Sequence, residues 1–313
     1  MERRTFIGTL ALGTVAVHGV SAQSAGRVRR IGIISHSWSS ADIAGPKPRR
    51  PNVRALLEGL RELGYVYGEH FVTEVRGGQT QAERYPALAV ELVRLGVDVI
   101  VSSGVMLRAV KQATTTIPVV MAAASDPIAE GYVQTLGRPG TNFTGLSHQI
   151  VDTTPKRLEL LKELVPGASL VAIIRTRGEG DVLSWRAAET AARDRGWKLL
   201  SVDVRAPADL EGAFKAATDA RAGAALVVAA GQLFPHAERI VQLAARHRLP
   251  AIYPFRVFTE VGGLMSYSAD LDGIWRRAAF FVDRILKGAR PADLPVEQPT
   301  KFELVINGAS RES

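Results

Sequence analysis

From Arg29 onward the chain alternates short apolar runs with longer amphipathic ones, and this rhythm limits the fold more than any other feature. "RRIGIIS" reads as a buried strand. "NVRALLEGLRELG" follows, with Val53, Leu56, Leu57, Leu60 and Leu63 at helical spacing and a stop at Gly64. "EHFVTEV" is a second strand and "RYPALAVELVRLG" a helix closing at Gly96. "VDVIVSSG" is a strand, "VMLRAVKQATTT" a helix and "IPVVMAA" a strand. A βαβα repeat predicts a parallel sheet covered on both faces, because each crossover helix has to lie on one face or the other.

The rhythm then restarts. Thr154 and Pro155 suit the cap and first turn of a helix through "KRLELLKELVPG", whose apolar stripe is Leu158, Leu161 and Val165. Strand "SLVAIIR", helix "LSWRAAETAARDRG", strand "WKLLSVDV" and helix "ADLEGAFKAATDARAG" follow. Strand "AALVVAAG", helix "FPHAERIVQLAARHR" and strand "LPAIYPF" complete the half. The reading is α/β, with two doubly wound parallel-sheet lobes near 30–145 and 146–266 and a ligand cleft between them. "SADLDGIWRRAAFFVDRILKGARP" adds one helix and "PTKFELVIN" one strand.

In open α/β sheets ligands bind at the carboxyl ends of the strands. Those ends are Ser35-His36-Ser37, Ser102-Ser103-Gly104 and Ala124-Ser125-Asp126 in the first half. In the second half they are Arg175-Thr176-Arg177, Ala230-Gly231-Gln232 and Tyr253-Pro254-Phe255. Small and polar residues gather there while the strands stay apolar, which suits a small ligand held by hydrogen bonds.

Each candidate has a plainer role beside the binding one. His36 follows a strand end and either contacts ligand or caps its loop. Asp126 precedes Pro127 and can cap a turn, face the cleft, or do both. Ser103 and Gly104 stand before a helix whose N–H groups could take a carboxylate. Arg175 and Arg177 could pair with an acidic ligand group or lie solvated. Trp38, Tyr253 and Phe255 could stack on a flat ligand or pack in the core. Asn142-Phe143-Thr144 satisfies the glycan sequon, but the bacterial source that a twin-arginine-like start suggests speaks against a glycan there.

Much chemistry is missing. No Walker A pattern occurs, no G-x-G-x-x-G follows the first strand, and no G-x-S-x-G elbow appears. The six histidines show no metal-ligand spacing. Without cysteine there is no disulfide, thiolate metal site or cysteine nucleophile. The net charge of +8 comes from scattered Lys and Arg with acids among them, which reads as a solvated surface and predicts no nucleic-acid partner. The hydrophobic share of 46% is enough to fill two cores.

The N-terminus carries a separate message. A basic start, an apolar run from Phe6 to Val17, and small residues at Ser21 and Ala22 follow the order of a signal peptide. Val20 and Ala22 suit the positions before a cleavage point. Arg3, Arg4 and Phe6 resemble a twin-arginine signal, from which Glu2 and Gly8 depart. The expectation is a bacterial, periplasmic protein.

Long stretches then resemble one family. They include "LAVELVRLGVDVIVSSG", "KQATTTIPVVMAAASDPIAEGYVQTLGRPGTNFTGLS", "LAARHRLPAIYPFRVFTEVGGLMSYSADL" and "RILKGARPADLPVEQPTKFELVIN". The chain resembles the ABC transporter substrate-binding proteins, in the branch with a type I periplasmic-binding fold that includes tryptophan- and tyrosine-binding members. The resemblance spans nearly all of 28–307. It implies hinge crossings near Gly145, near Ser266 to Ala269 and near Arg290 to Leu294. The domains would be a leader at 1–22, a first lobe at 28–145 plus 268–290, a second lobe at 146–267 plus 291–307, and a tail at 308–313.

Carried over by motif, the first-lobe binding positions are Ser35, His36, Ser103, Gly104, Asp126, Asn142 and Thr144. The second-lobe candidates are Arg175, Gln232, Tyr253 and Phe255, in loops where "RTRGEGD" and "GQLF" depart from the family pattern. Where "GASRES" follows "VIN", relatives continue into a helix. The resemblance implies a monomer without cofactor or metal. It captures a small solute, an aromatic amino acid or another small carboxylate, and hands it to an ABC permease and its ATPase. A sensor lobe for a signalling receptor is the alternative; an enzyme on the same scaffold would need a base and a nucleophile that these strand ends do not supply.

Overall fold

Buried strands form where β-branched and aliphatic residues run without interruption between turn formers, and the crossovers place helices on both faces. In a computed structural model, residues 27–176 and 179–308 are described. The proposed leader, Arg177 and the last five residues of the tail lie outside them. The first sheet contains β1 (Arg29–Ser35), β2 (Phe71–Gly77), β3 (Val99–Ser103), β4 (Val119–Ala124) and β5 (Phe143–Ser147). Its order is β2-β1-β3-β4-β5 and every pairing is parallel.

The second sheet contains β6 (Leu170–Arg175), β7 (Lys198–Asp203), β8 (Ala224–Val227), β9 (Ala251–Tyr253), β10 (Met265–Ala269) and β11 (Phe302–Ile306). Its order is β11-β10-β9-β8-β6-β7, with β11 antiparallel at the edge. Strand order therefore reverses between β1 and β3 in one sheet and between β6 and β8 in the other. Such a switch point leaves a crevice, because successive crossovers go to opposite faces there.

In the first half the helices are α1 (Ser40–Ile43), α2 (Pro51–Glu62), α3 (Tyr85–Arg94) and α4 (Met106–Ala113). They continue with α5 (Thr154–Leu164), α6 (Glu179–Asp194), α7 (Leu210–Asp219), α8 (Ala237–Arg246), α9 (Arg256–Glu260) and α10 (Leu271–Leu286). The one-turn helix α1 has no apolar period to announce it. It is set by a capping box in which Ser39 and Asp42 exchange hydrogen bonds. Thr154 is inside α5 rather than capping it, and its hydroxyl turns back to the Ile150 carbonyl.

Three segments join the sheets: 148–153 between β5 and α5, Asp270 between β10 and α10, and the stretch from α10 to β11. Helix α10 returns to the first core, where Ile274, Trp275, Ala278, Phe281 and Val282 pack with Val53, Leu56 and Leu60 of α2. The third segment runs beside β5 before crossing. Ser147 N–H donates to the Glu297 carbonyl at 3.0 Å, and Glu297 N–H to the Gly145 carbonyl at 2.9 Å. Arg277 of α10 clamps the Glu297 carboxylate with two bonds of 2.9 and 2.7 Å. The chain leaves the first sheet after Ser147, two residues past Gly145, because β5 pairs with β4 as far as Ala124 opposite Ser147.

Candidate functional site

The two switch points meet at one side chain. His36 follows β1, and its ring lies between Gly104, which follows β3, and Gly231, which follows β8 of the other lobe. A Cβ on Gly104 would stand 3.3 Å from His36 Cε1, and one on Gly231 would fall on His36 Nε2. Glycine at 231 is thus what lets the first-lobe imidazole reach the second lobe. Both ring nitrogens are shielded from solvent and neither has a partner of good hydrogen-bond geometry, although the Ser103 backbone lies near. Burial lowers the His36 pKa to about 4, with the Ser103 backbone opposing the shift. The ring is neutral near pH 7 and offers one donor and one acceptor.

Around this contact the first lobe supplies a small polar rim. Ser35 is buried and its hydroxyl accepts from Ser37 N–H at 3.4 Å. Ser103 and Gly104 border the His36 ring. Asp126 ends β4's loop, where one carboxylate oxygen accepts from Ile128 and Ala129 N–H at 3.1 and 2.9 Å. Capping is therefore a role it does fill. Trp38 is covered by Arg50, whose guanidinium carbon stands 3.5 Å over the ring, so that face is not open for stacking on a ligand.

The second-lobe wall is aromatic. Phe255 is buried between Phe234, at 5.0 Å between ring centroids, and the edge of His148, at 5.8 Å. Arg175 is buried with its Nε 3.8 Å from an Asp203 oxygen and its guanidinium 5.2 Å over Trp185. Gln232 is exposed beside Thr176 and His236 at a shallow crevice on the same rim. Among the described residues no group of His, Cys, Asp and Glu could hold a metal ion.

Three expected positions lie elsewhere. Tyr253 is buried and stacked on Phe258 at 5.2 Å, and burial pushes its phenol upward, so it is a core residue of the second lobe. Asn142 and Thr144 stand at the amino end of β5 rather than at the carboxyl-end rim: the Asn142 carbonyl accepts from Val119 N–H, and Thr144 is opposite Val120. The Asn142 amide donates to the Ile117 carbonyl at 2.8 Å, and the Thr144 hydroxyl to the Leu294 carbonyl at 2.7 Å. Both side chains are occupied in tying loops to the strand. Asn142→Ala is expected to lower stability by about 1–2 kcal/mol and leave solute affinity within about twofold of the parent. Urea midpoints and calorimetry on the two proteins check this.

A family described as "ABC transporter substrate binding protein" matches residues 47–313. This chain belongs to that family. A tyrosine-binding protein of Clostridioides difficile (strain R20291) is 23% identical over 257 residues, which is 81% of this chain and 73% of that one.

Two solved structures share the type I periplasmic-binding fold. A conserved domain protein from Vibrio cholerae superposes with a TM-score of 0.82 at 24% identity, over 91% of this chain and 94% of its own. A domain from Streptococcus pneumonia in complex with L-Trp gives 0.80 at 22% identity, over 89% and 92%.

In this substrate-binding protein the sequence did not propose as binding residues four that lie at or behind the junction of the lobes, although Gly231 stood at a marked strand end. Ser147 ends β5 with a buried hydroxyl that has no partner. His148 follows it, buried, with Nδ1 accepting from Ile150 N–H at 3.2 Å. Gly231 makes room for His36, and Arg157 lies behind His148. The usable signal for Ser147 and His148 was their place just after an apolar run.

Two buried neutral histidines make the protein acid-sensitive. Burial, helped by the Arg157 charge, also lowers the His148 pKa to about 4. Each unfolded imidazole titrates near 6.5, so between pH 6.5 and 4 the unfolded state binds more protons. Stability is therefore complete above pH 6.5, falls as the pH drops through this window, and levels near pH 4. The loss is at most on the order of 3 kcal/mol per histidine. Urea midpoints measured from pH 7.5 to 4 should fall in this window and flatten in the His36→Gln, His148→Gln double variant.

Proposed function

We propose that this substrate-binding protein is the exported solute receptor of an ABC importer. It holds a small organic solute between the two lobes, in class an aromatic amino acid or another small carboxylate. The observation that carries the reading is the contact of His36 with Gly231 across the two switch points, with both imidazole nitrogens shielded and neither in a well-formed hydrogen bond. Buried polar groups without partners are costly, and a bound solute with one donor and one acceptor would satisfy this ring.

The named relatives support the solute class, one being described as tyrosine-binding and another solved with L-Trp. Ser35, Ser103, Gly104 and Asp126 would form the first-lobe side of the pocket, and Arg175, Gln232 and Phe255 the second. The three connecting segments would act as a hinge, and the ligand would select the closed arrangement by bridging both lobes. The closed form would dock on a membrane permease served by an ATPase, as a monomer, without catalysis and without a cofactor.

Residues 1–22 would direct export to the periplasm. No helix among the described residues is long and apolar enough to cross a membrane.

A thermal-shift screen of the mature protein against amino acids and small organic acids tests the reading. A solute at 100 times its Kd should add about 2.7 kcal/mol to stability, which corresponds to a rise of several degrees. A broad library in which no small solute raises the melting temperature would overturn it.

A further inference from the structure

The second lobe buries a positive charge that no carboxylate among the described residues offsets. Arg157, in the first turn of α5, is fully buried. Its Nη2 donates to the Ile150 carbonyl at 3.1 Å and to the Thr154 hydroxyl at 2.9 Å, and its Nη1 to the Val227 carbonyl at 3.4 Å. Nε has no partner. All three acceptors are neutral, and among the described residues no carboxylate pairs with this guanidinium. Asp152, close in the chain, points to solvent. Burial brings the Arg157 pKa down to about 10, which leaves it charged near pH 7.

The start of α5 does not relieve the charge. Helix α5 starts without a side-chain cap and has Pro155 in its first turn. Its N-terminal dipole therefore adds positive potential where the cation already sits. A buried cation is tolerated when it is paired, and this one is not. Its position is specific. Val227 ends β8, Ile150 lies in the segment joining β5 to α5, and His148 in that segment touches Phe255 of the cleft wall.

We propose that Arg157 and the uncapped start of α5 make the second-lobe wall selective for an anion, so that the carboxylate or a similar compact anionic group of the solute seats against the 148–154 segment. The proposal rests on the solute-receptor reading above and adds the residue that selects charge. Arg157 stands behind the cleft surface and acts as a positioning residue, through its potential and by fixing the Ile150 and Thr154 groups. The anion supplies the missing counter-charge when the lobes close.

The test uses the mature protein and its Arg157→Met, Arg157→Gln and Arg157→Lys variants, titrated calorimetrically with matched pairs. The pairs are L-tyrosine and L-tyrosinamide, L-tryptophan and L-tryptophanamide, and 3-phenylpropionate and its amide. The parent should favour the acid of a bound pair by about tenfold or more. Arg157→Met and Arg157→Gln should bring the acid-to-amide ratio to within about threefold of unity, and Arg157→Lys should keep only part of the preference, because a buried lysine sheds its proton more readily than arginine. A merely structural arginine would change both affinities together and leave their ratio alone.

Replacing an unpaired buried charge by methionine need not destabilise the fold; should that variant fail to fold, Arg157→Gln carries the comparison. An unchanged ratio in the charge-free variants, or a parent that prefers the amide, overturns the proposal and leaves the receptor reading standing. So does a parent that binds other solutes and no member of these pairs. A parent stabilised by no solute at all removes both.

Discussion

Gly145→Val is expected to lose about 3–5 kcal/mol of stability and to yield mostly unfolded protein. Gly145 lies inside β5 with φ at +124°, a region that a β-branched residue cannot occupy without strain. A Cβ there would also fall on the backbone of Met121 in the neighbouring strand, which cannot swing aside as a side-chain tip can. The damage would spread, because the Gly145 carbonyl accepts from Glu297 and so joins the third connecting segment to β5. Gly137→Ala is the control, since a Cβ at that position meets nothing within 4 Å; its effect should stay within about 0.5 kcal/mol. Urea unfolding followed by circular dichroism compares the two. A Gly145→Val protein as stable as the control would show that β5 relaxes freely at this point.

Gly231→Leu is expected to leave the fold intact and to weaken solute binding by about a hundredfold or more. Gly231 sits in a turn with no positive φ to preserve, so the new side chain meets no backbone penalty. What it meets is the His36 ring, whose place it would take. The lobes could then no longer approach to the distance seen here. Relief of the clash is measurable: adding His36→Ala to Gly231→Leu should recover part of the affinity, giving a coupling energy between sites on different lobes. If Gly231→Leu binds solute like the parent, the His36–Gly231 contact is no part of the bound state.

The fold was legible because its signals are local. β1 is Arg29–Ser35, as the apolar run announces: its centre, Ile31 to Ile34, is buried on both faces of the sheet and carries no polar side chain, while Arg29 and Arg30 stand at its half-buried start. Both switch-point residues of the first lobe, His36 and Gly104, followed from strand ends that the sequence marks clearly. The pairing of His36 with Gly231 was not legible, because a close approach between lobes is written in the absence of a side chain 195 positions away.

Asn142 and Thr144 misled for a different reason. A loop rich in Gly, Asn and Thr shows that the chain turns, but not at which end of the next strand it does so. Arg157 left a readable trace. It falls four residues before Leu161 and beside Leu158, on the buried stripe of α5, where a charged residue is out of pattern. Tyr253 belonged to the core because its ring stacks flat on Phe258, a contact made by the turn into α9.

A small solute is expected to draw the two lobes together. The chain has no cysteine, so two can be introduced for labelling without background. Val105 on the first-lobe rim is 53% exposed, and Arg239 on α8 of the second lobe is exposed as well. Spin or fluorescent labels at these two positions report the distance across the cleft. With L-tyrosine, L-tryptophan or whichever screened solute raises the melting temperature, the distance should shorten and the long-distance population should shrink in proportion to occupancy. A solute that stabilises the protein yet leaves the distance distribution unchanged would show that binding does not close the lobes.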